Sequence, residues 1–310
     1  MTRRLLPLAL LPALVLAGCA GSPAAGTSDD GRVRVVASTD VWGDVVRQIG
    51  GDDVQVDSII TDPDRDPHEY QADPRDRLAV SRAQLVVVNG GHYDDFMEQL
   101  TAGLPDTVPV LDAVTASGLD DHADGSSSDD HGHDHGEFNE HVWYSLDGVE
   151  KVAEAVESDL ARLAPQHRAD FATRLDAFQE GVADLRDQQR SLRATAQGKG
   201  VAITEPVPLY LTEALGLVDR TPAAFSEAIE EGDDVAPAVL RQQLALFSEH
   251  RVAVLAVNLQ TSDATTQQVV AAAKAADVPV VGVRETLPDG QDWLTWMAAD
   301  LKAMRTALGG

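Results

Sequence analysis

Four residues stand where the chain could hold a metal ion. His68 lies in Asp66-Pro67-His68-Glu69-Tyr70, and His141 in Glu140-His141-Val142-Trp143. Glu205 precedes Pro206, and Glu285 lies in Arg284-Glu285-Thr286. Two imidazoles and two carboxylates suit a divalent transition metal. The nitrogens fit zinc, manganese or iron, and the carboxylates neutralise the 2+ charge. No compact signature such as His-Glu-x-x-His links them. If their loops did not converge, all four would be ordinary solvated residues. His131-Gly132-His133-Asp134-His135 offers a second, weaker possibility, because alternating imidazoles on a flexible segment can share a zinc ion. Incidental histidines in an acidic loop are the alternative there. Asp62, Asp64 and Asp66 alternate like the start of a calcium loop, but its sixth position is Pro67 and its twelfth is Asp73, so calcium is rejected.

The elements that must position these residues alternate between two periods. Short apolar runs predict strands at Val33 to Ala37, Val54 to Ile60, Leu85 to Asn89 and Val108 to Leu111. Helices are expected from Val41 to Ile49, from about Pro74 to Ala83, and from Tyr93 to Leu100. Gly50-Gly51 stops the first of these. From Leu146 the pattern is helical only. Val149, Val152, Val156, Leu160 and Leu163 form one stripe, and Phe171, Leu175, Phe178, Val182 and Leu185 another. A helix from Pro165 to about Thr195 would be about 45 Å long. Strands return at Val201 to Thr204, Ala253 to Asn258 and Val278 to Val283. Helices are expected at Leu209 to Leu215, Pro237 to Ser248, Ala264 to Ala276 and Gln291 to Leu308. Strands alternating with helices imply parallel sheets, so the expected fold is α/β, two similar lobes joined by a long rigid helix. In such sheets ligands bind beyond the carboxyl ends of the strands, which is where His68, Glu205 and Glu285 fall. Trp42, Trp293 and Trp296 are expected as core anchors.

Composition narrows the function. The chain has 310 residues, 44% of them apolar, enough for a sizeable core. Its 24 basic residues against 51 acidic ones give a net charge of −27. No nucleic-acid partner is expected, since phosphate binding needs a basic face. The single cysteine, Cys19, excludes an intrachain disulfide and a Cys-based zinc site. Arg3 and Arg4 precede an uncharged run, Leu5 to Ala17, too short at 13 residues to span a bilayer. It ends in Leu16-Ala17-Gly18-Cys19, which resembles a lipobox, where a signal peptidase cuts before a cysteine whose thiol is lipidated. The expected organisation is a signal peptide (1–18), a lipid-anchored tether (19–31), an N-terminal lobe (32–145), linking helices (146–196) and a C-terminal lobe (197–310). From Asp120 to Glu140 the chain carries eight acids, four histidines and no basic residue, and reads as a mobile insertion, with the loop proper at 120–137.

The segments Asp66-Pro67-His68-Glu69-Tyr70, Leu85-Val86-Val87-Val88-Asn89-Gly90 and His141-Val142-Trp143, in that order, resemble the metal-binding solute-binding lipoproteins of bacterial ABC transporters, the zinc and manganese uptake group. The similarity runs from about Val33 to Leu308. It implies a two-lobed receptor with a rigid linking helix and one metal between the lobes. His68 and His141 match the family's two N-lobe histidines. Glu205 stands where zinc-type members usually carry a third histidine and manganese-type members a glutamate. Glu285 stands at the last acidic ligand. The His-rich insertion leans toward zinc and Glu205 toward manganese. The resemblance further implies a monomer on the extracytoplasmic face of the membrane that delivers zinc or manganese to an ABC permease and its ATPase. A metal-dependent hydrolase is the competing reading, though four protein ligands leave no open position for catalysis. A surface adhesin or metal store on the same fold is the other.

Overall fold

The computed structural model describes residues 31–63, 65, 67–68, 70–120 and 138–309. The expected signal peptide, the lipobox with Cys19, and His131, His133 and His135 lie outside them.

Two four-stranded parallel sheets carry the fold. The first comprises β1 (Val33–Thr39), β2 (Val54–Ile60), β3 (Leu85–Val88) and β4 (Val110–Asp112), in the order β2-β1-β3-β4. The second comprises β5 (Gly200–Ile203), β6 (Val218–Asp219), β7 (Val254–Asn258) and β8 (Val280–Val283), in the order β6-β5-β7-β8. The two orders are equivalent. Helices cover both faces of a parallel sheet, so its central strands are apolar throughout rather than alternating. Thus every residue of β3 and of β7 is buried.

Eleven helices are described: α1 (Asp40–Gly50), α2 (Pro74–Val80), α3 (Phe96–Thr101), α4 (Ala113–Ser117), α5 (Leu146–Leu163), α6 (Arg168–Ala196), α7 (Leu209–Ala214), α8 (Ala223–Glu230), α9 (Pro237–Ser248), α10 (Ala264–Ala275) and α11 (Trp293–Ala307). None of them is long and apolar enough to cross a membrane. Three differences from the sequence expectation matter. Helix α3 begins at Phe96, because Gly90 and Gly91 adopt φ +79° and +65° and the chain turns before Tyr93. The Asp94 carboxylate holds that turn by accepting from the Asn89 and Gly90 amides. Helix α8 was not anticipated; its buried apolar pair, Phe225 and Ile229, spans only one turn. Strand β6 is two residues long, too short to leave a periodic signal.

Helix α6 ties the lobes together. At about 1.5 Å per residue its 29 residues reach about 44 Å. Near its start Arg174 donates to the Gly50 carbonyl and to Asp53 in the first lobe. Near its end Arg193 donates to the Glu213 and Ala214 carbonyls in the second. Between these points one continuous apolar cluster runs from Val35 and Val45 through Val156 and Phe178 to Ile203, Trp293 and Trp296. Trp42, Trp293 and Trp296 are buried in it, as expected. Helix α1 reaches across as well: Asp40 accepts from the Leu287 amide and Asp44 from the Trp293 amide.

A shared core of this kind resists wide hinge opening, because parting the lobes would expose its apolar residues. Small-angle scattering of metal-free and metal-loaded protein is therefore expected to give nearly superimposable curves, with change confined to the loops around His141 and Glu285. A large domain rotation would contradict the shared core.

Candidate metal centre

The carboxyl ends of both sheets face one cleft, and the loops leaving them bring His68, His141 and Glu285 together. His68 is in the loop between β2 and α2. Arg284 Nη1 holds that loop from the other lobe by donating to the Pro63 carbonyl (2.7 Å), and Gln260 Nε2 by donating to the Arg65 carbonyl (2.8 Å). The His68 ring packs edge-on against Tyr93, centroids 5.0 Å apart. Its Nε2 lies 3.9 Å from Glu285 Oε2.

His141 is wholly buried. Asn139 accepts from the His141 backbone amide (3.1 Å) and lies 2.7 Å from Nδ1. That contact places the ring proton on Nδ1 and leaves the Nε2 lone pair pointing into the cleft, the usual arrangement of a metal-ligating imidazole. Nε2 makes no hydrogen bond, though its atom is buried. It lies 3.9 Å from Glu285 Oε2. Desolvation, and then the neighbouring His68, push the His141 pKa well below its ordinary value. A neutral imidazole is the form a metal requires.

The carboxylates are held by β7. Asn258 Nδ2 donates to Glu285 Oε1 and to Glu205 Oε2, both at 2.7 Å. Thr261 donates to the same Glu205 oxygen at 3.3 Å. Both glutamates are buried. Glu205 thus sits across one amide group from Glu285, while Glu285 faces both imidazoles directly.

Two further carboxylates reach the imidazoles. Glu140 Oε1 lies 3.8 Å from His68 Nε2, and Glu230 Oε1 lies 3.6 Å from His141 Nε2. One ligand atom from each of His68, Glu140, His141 and Glu230 falls within 4.8 Å of all the others. Within this group the two imidazole–carboxylate contacts are 3.8 and 3.6 Å, separations that leave room for a cation between the atoms. The sequence reading assigned Glu140 to the mobile insertion. The structure instead fixes residues 138–141 at the cleft: Asn89 Nδ2 donates to the Glu140 carbonyl, Asn139 Nδ2 to the Pro206 carbonyl, and the Tyr210 hydroxyl to the Asn139 carbonyl. Glu230 went unseen because it closes α8, which left no signal. Asp64 and Asp66, two of the three alternating aspartates weighed as a calcium loop, lie outside the described residues.

Tyr144 and Asp300 brace the segment after His141. The Tyr144 hydroxyl lies 3.1 Å from both the Arg284 carbonyl and Asp300 Oδ2. A hydroxyl has one proton to give, so both contacts become hydrogen bonds when Asp300 is protonated and donates to Tyr144. In agreement, burial raises the Asp300 pKa to about 7.

Comparison with known proteins identifies the family and supports the fold. A family model described as ZnuA, the periplasmic zinc-uptake complex component A, matches residues 35–307. The chain is 28% identical over 215 residues to the manganese-binding lipoprotein MntA of Halalkalibacterium halodurans, covering 66% of this chain and 65% of that one. The alignment therefore spans just under two thirds of that relative. It is 22% identical over 317 residues, 98% of each chain, to the manganese ABC transporter substrate-binding lipoprotein scaA of Streptococcus gordonii. Among solved structures, the periplasmic zinc binding protein TroA from Treponema pallidum superposes with a TM-score of 0.73 at 19% identity, covering 90% of this chain and all of that one.

The Asp300 site predicts a pH dependence. An unfolded aspartate ionises near 3.8, whereas burial here raises the pKa to about 7. The folded state therefore binds more protons between those values. The contribution is fully present below about pH 4 and is lost as pH rises through about 7. Asp300→Asn cannot ionise. Its melting temperature is expected to fall less than the parent's between pH 5 and 8. Parallel curves across that range would exclude Asp300 as the titrating group.

Proposed function

The chain belongs to the zinc-uptake complex component A family, and from that membership we propose that it is an extracytoplasmic receptor, not an enzyme, that captures a divalent transition metal for an ABC permease and its ATPase. His68, His141, Glu205 and Glu285 are the proposed ligands. Cys19 is the proposed lipid anchor to the outer face of the cell membrane, and the protein acts as a monomer. The observation that carries the reading is the buried His141 Nε2, turned into the cleft by Asn139 and facing Glu285 and His68. Such a nitrogen costs stability if left unmet by any partner, and a cation meets it. The names of the relatives support a metal as cargo. His131, His133 and His135 are proposed as an auxiliary, weaker zinc site.

Zinc should bind more tightly than manganese in solution, following the Irving–Williams order. Zinc is also the preferred reading of the physiological cargo, since the His-rich insertion suits zinc better than manganese.

Metal that joins ligands from both lobes stabilises the folded state by mass action, about 4 kcal/mol at a thousandfold excess over Kd. Melting curves with and without zinc or manganese test the site. The parent should gain several degrees, and His68→Ala and His141→Ala should each lose most of that gain. Equal gains in parent and both variants would refute the ligand assignment.

Glu205 is tested separately. Glu205→His replaces an oxygen ligand by nitrogen and removes a negative charge, so it should weaken manganese more than zinc. Competition titration reads the result; an unchanged affinity ratio would remove Glu205 from the ligand set.

A further inference from the structure

The two imidazoles at the cleft face more carboxylates than a four-ligand site uses. Each Nε2 has one on either hand. His68 stands 3.8 Å from Glu140 and 3.9 Å from Glu285, and His141 stands 3.6 Å from Glu230 and 3.9 Å from Glu285. The same two nitrogens thus belong to two groupings, one completed by Glu285 on the buried side and one by Glu140 and Glu230. An imidazole nitrogen has a single lone pair and binds one metal ion at a time. The two groupings cannot hold separate ions through the same nitrogens.

We propose that Glu140 and Glu230 are ligands of the cargo ion, which is then held by two imidazole nitrogens and at least three carboxylates, with a coordination number above four. This rests on the receptor reading given above and extends it to the character of the metal shell. Three observations place the extra ligands. Glu140 is anchored, not free-swinging: its own carbonyl is gripped by Asn89 and the next residue is His141 itself. Glu230 enters from the second lobe at the end of α8, so its carboxylate arrives on a different element from Glu205 and Glu285. The His141 nitrogen that both groupings share is buried, makes no hydrogen bond and points at them.

Their placement also differs in kind. Glu285 is 1% exposed at its side chain, whereas Glu140 and Glu230 keep 13% and 17%. Glu140 and Glu230 thus lie nearer the cleft mouth than Glu285, although the Glu230 Oε1 that faces His141 is itself buried. Once bound, an oxygen-rich shell of this size favours manganese or ferrous iron relative to a tetrahedral set, since zinc is satisfied by four ligands. The extra carboxylates therefore narrow zinc's intrinsic lead without reversing it.

The test uses the full chain with manganous and zinc ions as probes. Glu140→Gln and Glu230→Gln keep shape and remove charge. Each should lower manganese affinity about tenfold, the equivalent of one lost charged contact, and zinc affinity about threefold or less. X-ray absorption on the manganese-loaded parent should count five or six light scatterers at one ion per chain, and fewer in the double variant. A four-coordinate parent, two ions per chain, or variants whose manganese-to-zinc ratio matches the parent's would each overturn the proposal. A parent that binds neither ion would instead sink the receptor reading itself, while tight binding with silent variants would sink only this extension.

Discussion

The rest of the molecule depends on a fixed distance between two sheets. The candidate ligands come from segments of both lobes, and imidazole and carboxylate must approach within a few ångströms without touching. In a hinged protein that spacing would be set by the ligand. Here it is set by apolar packing, because one core passes from β1 through α1, α5 and α6 into β5 and α11. Helix α6 is clamped at one end by Arg174 and at the other by Arg193, and the crossing hydrogen bonds from Asp40 and Asp44 add direction to the packing. The site is consequently organised before any cation is present, which lowers the ordering cost of binding.

Within that frame, polar side chains fix orientation. Asn139 sets the His141 ring, and its amide crosses to Pro206 in the other lobe. Asn258 divides its two amide hydrogens between Glu205 and Glu285. Gln260 accepts from the Glu285 amide and donates to the loop that carries His68. Removing any one of these would leave the candidate ligands present but loosely aimed, so under the proposed function their effect falls on affinity rather than on folding.

The central strands were legible in the sequence because buried parallel strands are continuous apolar runs, and β2 and α9 were read to the residue. Glu285 was read from its place just after such a run, and His68 from its loop between β2 and α2. His141 was legible through its resemblance to a known family. Glu140 was not, since eight acids in 21 residues hide the one that is held in place. What distinguishes it is a backbone contact from Asn89, 51 positions earlier, which no local pattern records. Glu230 was hidden for a different reason: α8 owes its existence to the groove its Phe225 fills, and tertiary packing of that kind overrides weak local propensity.

Helix α11 has a consequence for how the chain comes into being. Its Trp293, Trp296 and Met304 complete a core that begins at Val33, and its first amide is received by Asp44, 249 positions away. The cluster that the lobes share cannot be sealed while the fifteen residues of α11 are missing. Contacts of such long range form late and slowly. A growing chain of this design leaves the shared core open until α11 has emerged.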